Sequence, residues 1–119
     1  MKRNEIQELS LDFAIQVVAF CHELKSKKEY EIGNQLFRSG TSIGANVYEA
    51  QGSESRKDFI HKMSIGYKES LESDFWIQVC DRSEFLPDPG DLKDQISSVR
   101  RLLGKILSSL HKENEKKKM

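Results

Sequence analysis

Arg38, Ser42, Asn46, Glu49 and Glu72 are the residues of this chain whose types and spacing come nearest to a chemical site. An enzyme built on them needs Arg38, Glu49 and Glu72 gathered in one accessible pocket with shifted ionisation. The same residues also suit a structural role. A polar shoulder beside an apolar stripe holds neighbouring helices in register through side-chain hydrogen bonds, with Arg38 able to fork onto Glu49 or Glu72. No nucleophile has a base partner, and no histidine accompanies the carboxylates at a ligand spacing. The structural role is therefore the expected one, and no catalytic residue is assigned.

Metal chemistry finds no better footing. His22, His61 and His111 fall on three different predicted helices, and the paired Glu-x-x-His motifs of di-iron bundles are absent. No metal or cofactor is called for. Cys21 and Cys80 occupy apolar or near-apolar positions on separate helices and read as buried free thiols. Tyr30, Phe37, Tyr48, Tyr67, Phe75, Trp76 and Phe85 offer flat rings on which single-stranded bases can stack. At helical spacing such rings more often fill cores and interfaces.

The feature with a functional lean is charge. The chain as a whole carries 19 Lys and Arg against 19 Asp and Glu, but residues 91–119 carry 8 against 4, so the last helix is basic on a mildly acidic body. Arg100, Arg101, Lys105, Lys112, Lys116, Lys117 and Lys118 are the candidate nucleic-acid contacts, since cations on one helix neutralise phosphates and release counterions. One subunit offers few such charges; a ring of subunits multiplies them. Against this stands the ordinary solvated helix face, which is also rich in lysine and arginine.

These residues must be positioned by helices, because strand signals and internal repeats are absent. Ile6, Leu9, Phe13, Val17, Phe20 and Leu24 form the core stripe of the first helix, with Leu11, Ala14, Ile15 and Val18 as a second apolar face. It ends near Lys25–Lys28. In the second helix Ile32, Leu36, Ile43, Val47 and Ala50 face the core, and Gln35, Ser39, Ser42, Asn46, Glu49 and Ser53 form the polar shoulder. Gly33, Gly40 and Gly44 gather on the opposite shoulder. Each costs about 1 kcal/mol against alanine in a helix, which predicts a neighbouring helix pressed against that backbone.

Ser55 and Asp58 stand at capping spacing and open a third helix with Phe59, Met63, Gly66, Ser70 and Ile77 inward. Pro87, Pro89 and Gly90 mark the clearest loop. Asp91 and Asp94 then repeat the capping arrangement ahead of Leu92, Ile96, Val99, Leu103, Ile106 and Leu110. The expectation is an all-α fold, an antiparallel up-and-down four-helix bundle over residues 1–112, followed by a frayed basic tail over 113–119.

Helix three carries more apolar surface than one core can cover. Ile60, Tyr67, Leu71, Phe75 and Trp76, with Leu11, Ile15 and Val18 of helix one, are the expected oligomer contact, supported by Ile65 and Val79. No apolar segment is long enough to span a bilayer and no signal peptide is evident, so no membrane partner is expected and the expected location is cytoplasmic.

The run Phe37-Arg38-Ser39-Gly40-Thr41-Ser42-Ile43-Gly44-Ala45-Asn46-Val47, then Glu49-Ala50 and Ser55 through Ile65, resembles the signature of a bacterial family. Its members are small four-helix-bundle proteins named after intervening sequences in 23S ribosomal RNA genes, also labelled S23 ribosomal proteins. The resemblance extends through Glu72 and Trp76 to the last helix. It implies a homopentameric ring. A related group of accessory bundles implies RNA or a reverse-transcriptase-like protein as partner, with no small-molecule substrate. The alternative is a structural or protein-interaction module that binds no nucleic acid.

Overall fold

Asn4 opens the first helix, α1 (Glu5–Ser26), with a reciprocal cap. Its side chain accepts from the Gln7 N–H at 2.9 Å, and Gln7 Oε1 accepts from the Asn4 N–H at 3.1 Å. Two helix-start donors are thereby satisfied. The computed structural model describes residues 4–118. Lys28, at φ 64°, reverses the chain into α2 (Tyr30–Gln51). Ser55 then caps α3 (Arg56–Arg82), its Oγ accepting from the Asp58 N–H at 3.0 Å. In the proline loop Asp88 Oδ1 accepts from the N–H of Gly90, whose φ of 57° suits a residue without Cβ. The chain then enters α4 (Leu92–Lys118).

Short connections make each helix antiparallel to the one before it. The helices pack as α1–α2, α2–α3, α3–α4 and α4–α1, closing an up-and-down four-helix bundle of 54 × 27 × 22 Å. α1 and α3 therefore stand on a diagonal. No Cα of one comes within 8 Å of a Cα of the other.

The predicted stripes meet along the axis. Phe13, Val17, Leu24, Leu36, Ile43, Met63, Ile77, Ile96 and Leu103 are all essentially inaccessible to solvent. In the last turns of α4 the register differs from the expected one: Leu107 is buried, while Ile106 and Leu110 are half-buried. The core also takes polar side chains that interrupt the apolar pattern. Ser73 Oγ donates to Ser39 Oγ at 3.0 Å, and Ser70 Oγ donates to the Tyr67 carbonyl at 2.6 Å, so both are satisfied where water cannot reach.

The glycine shoulder lies against α1, as its cost required. A Cβ on Gly40 would stand 2.8 and 2.9 Å from the two Val17 methyls, and one on Gly44 would stand 3.3 Å from the Ser10 carbonyl oxygen. Gly33 differs, because a Cβ there would meet Leu24 and Lys25 only at 3.6 and 3.7 Å. Gly33→Ala is therefore expected to stabilise the protein by about 0.5–1 kcal/mol through helix propensity alone. A thermal melt should show a rise of a few degrees; a fall would mean that α1 leaves less room at this end.

Helix α4 runs on to Lys118, through the segment expected as a frayed tail. Arg56 at the start of α3 explains part of this, pairing with Glu113 and donating from Nε to Asn114 Oδ1 at 3.1 Å.

Cys21 and Cys80 are free and buried, on α1 and α3. A disulfide needs Cα atoms within about 7 Å, which the diagonal placement denies them. Burial pushes both thiols from about 9 up to about 11, and for Cys21 the Lys25 charge opposes the rise in part. The folded state thus holds these protons more tightly than the unfolded chain. Their contribution is complete below pH 9 and lost as pH climbs toward 11. Urea midpoints across that range should fall more steeply for the native sequence than for a Cys21→Ala/Cys80→Ala variant. Parallel slopes would show that the thiols do not carry the effect.

Candidate functional site

The polar shoulder of α2 faces α3 and divides into separate contacts. Arg38 reaches across with both terminal nitrogens: Nη2 pairs with Glu72, and Nη1 lies 3.3 Å from Glu69 Oε2. Glu72 Oε2 also accepts from Trp76 Nε1 at 3.1 Å. Glu49 takes no part in this group. It sits 3.9 Å from Lys62 Nζ, and its position eleven steps along the helix from Arg38 puts about 16 Å between the two. Asn46 Nδ2 turns back to the Ser42 carbonyl at 2.8 Å within α2.

Arg38, Glu49 and Glu72 are thus not gathered in one pocket, and the fork of Arg38 goes to Glu72 and Glu69. With the Arg38 side chain 51% exposed, these ion pairs are screened and each is worth well under the cost of a core defect. They lie across the α2–α3 seam, whose register brings both carboxylates opposite Arg38. Glu69 and Ser73 are the members that sequence reasoning did not pick out. Glu69 precedes Glu72 by three residues, a spacing that puts two carboxylates on one helix face within reach of one guanidinium.

The basic residues of α4 also separate by role. Arg100 is half-buried, with Nε 3.6 Å from Asp74 Oδ2, so its charge is spent between α3 and α4. Arg101, Lys105, Lys112 and Lys116 are exposed and make no ion pair among the described residues. Their separations of four, seven and four residues put successive charges about 6, 10 and 6 Å apart along the face turned away from the core. The same row begins with the exposed Asp94. Lys117 is exposed on another side of the helix, and the Lys118 side chain lies outside the described residues.

The apolar surplus includes one surface on α1 and another on α3, and Tyr30, Phe37 and Phe85 are exposed as well. On α1, Ile15 is 56% exposed and Val18 is also exposed, beside a shallow groove of about 250 Å³ lined by Leu11, Ala14, Thr41, Gly44, Ala45 and Tyr48. On α3, Leu71 and Phe75 are 44% and 57% exposed. Ile60, Tyr67 and Trp76 already place part of their area against their own core. Because α1 and α3 are diagonal, Ile15 and Phe75 leave the bundle at opposite corners.

Among the described residues no three His, Cys, Asp or Glu side chains are grouped to hold a metal ion, and no helix is long and apolar enough to cross a membrane. His22, His61 and His111 are exposed on α1, α3 and α4.

Residues 2–105 match the model of the 23S rRNA-intervening sequence protein family. A crystal structure of a protein of unknown function from the S23 ribosomal protein family of Bacteroides thetaiotaomicron is 34% identical. It superposes with a TM-score of 0.80 over 86% of this chain and 97% of that one. No curated protein matches the sequence. A family match over most of the length, joined to the same bundle at that identity, decides the assignment: the chain belongs to the 23S rRNA-intervening sequence protein family.

Proposed function

We propose that this protein is a non-enzymatic subunit of a homo-oligomeric ring that presents the outward row of α4 to RNA. The observation that carries the assembly is the pair of apolar surfaces at opposite corners. A two-fold dimer joins a patch to itself, whereas two different patches on diagonal helices join head to tail, the type of contact that closes into a ring when the rotation per subunit returns to the start. The family resemblance makes five the expected number. Repetition around the ring turns Arg101, Lys105, Lys112 and Lys116 from a sparse row into a multivalent array.

Titration of structured RNA at rising salt tests the second half of this reading. With about four phosphate contacts per bound segment, affinity should fall roughly fifty-fold for single-stranded and roughly 150-fold for duplex segments between 50 and 200 mM monovalent salt. Lys105→Glu should weaken binding further at every salt concentration. Binding that ignores salt, or none near physiological ionic strength, would instead favour a protein-interaction module. The net charge of zero and Asp94 at the head of the basic row support that second reading.

A further inference from the structure

A cleft of about 600 Å³ lies apart from the α4 row and the Ile15 corner and adjoins the Phe75 corner through Trp76. Glu31, Ile32, Asn34 and Gln35 line it from the first two turns of α2, and Trp76 walls it from α3. The indole is fixed there. Its Nε1 donates to Glu72, it is half-buried against the core, and the Phe75 ring meets it edge-on at 5.0 Å and 73°.

The lining itself carries a carboxylate and no cation. Arg38 alone answers both Glu69 and Glu72, leaving one negative charge over in that group. Glu31 has no ion pair, and the Asn34 and Gln35 side chains have no hydrogen bond, among the described residues. The cleft therefore offers an aromatic wall held by one hydrogen bond and one ring contact, a carboxylate without an ion pair and amide oxygens free to accept.

That set is complementary to a flat cation. A guanidinium stacks on tryptophan while its N–H groups donate to carboxylate and amide oxygens. An anion would meet the Glu31 carboxylate, and a neutral apolar group would desolvate it without a partner. The cleft is also a surface groove, too open to bury most of a free small molecule as ligand pockets do. We propose that it receives an arginine side chain projecting from a partner protein, with Glu31 and the neighbouring amides taking the guanidinium and Trp76 its face.

Trp76 is the only tryptophan of the chain, so its emission reports this cleft. The full-length protein would be titrated with an uncharged-flank peptide carrying one arginine, with the same peptide carrying citrulline, and with agmatine. The arginine peptide should give a saturable change in emission, and citrulline, which keeps the shape without the charge, should bind at least several-fold more weakly. Glu31→Gln should weaken the arginine peptide by roughly two- to five-fold. Glu31 is exposed, so the variant should keep the native circular dichroism and melt. Equal responses to arginine and citrulline, an unsaturable response, or indifference to Glu31→Gln would overturn the site. Agmatine binding as tightly as the peptide would overturn the assignment to a partner protein.

Discussion

Gly40→Val is expected to lower the unfolding free energy by about 3 kcal/mol, a large share of what a domain of this size possesses. The reason is local and geometric. Even the first carbon added at Gly40 would lie under 3 Å from both methyls of Val17, a fully buried residue. Valine in a helix has one strongly preferred rotamer, so Val17 cannot swing aside. Either α1 and α2 separate, opening the core along their length, or one side chain is forced off its rotamer. The gain in helix propensity from removing a glycine is well below 1 kcal/mol for a β-branched residue and does not offset this.

Urea unfolding would read the loss directly. A Val17→Ala/Gly40→Val double variant should then be less destabilised than the two single losses predict together, since the smaller residue vacates the space that the larger one needs. A midpoint for Gly40→Val equal to that of the native protein would mean that the two helices do not approach as closely as described.

Phe75→Glu should break the assembly while leaving each bundle folded. Phe75 is 57% exposed and Leu71 44%, so a substitution there should leave the bundle folded at a cost of about 0.5–1.5 kcal/mol, which for Phe75 includes its edge contact with Trp76. At a subunit contact the same change loses the burial of a large aromatic side chain, worth about 1.5–3 kcal/mol, and adds an unpaired buried carboxylate. Leu71→Glu should act alike. The helical signal in circular dichroism should persist and the mass should drop. Trp76 is a poorer probe, because changing it also removes the hydrogen bond to Glu72 and packing against the core. An undiminished mass for both glutamate variants would place the contact elsewhere.

Much of this architecture is legible in the residues because it depends on local periodicity. The stripes of α1 and α2, the Ser55 cap, the proline loop and the glycine shoulder each follow from spacing within one segment. What could not be read depends on how one helix slides against another. Arg38 had Glu49 and Glu72 as equal candidates until the α2–α3 register brought Glu69 and Glu72 opposite it and left Glu49 to Lys62. Arg100 looked like one more cation of an exposed face until Asp74 claimed it. Ser73 is polar and interrupts the apolar pattern, yet it is buried because Ser39 faces it across the core. The tail beyond Lys112 lacks apolar residues, so only the reach of Arg56 from another helix shows why its helix continues.

Light scattering on the purified protein at micromolar concentration tests the ring most directly. Five copies of a 13.7 kDa chain should give a mass of about 68 kDa. A trimer or a tetramer would change the count and keep the head-to-tail contact between the Ile15 and Phe75 corners. A clean mass of 13.7 kDa would contradict the assembly, and with it the multivalent array on which the proposed RNA binding depends.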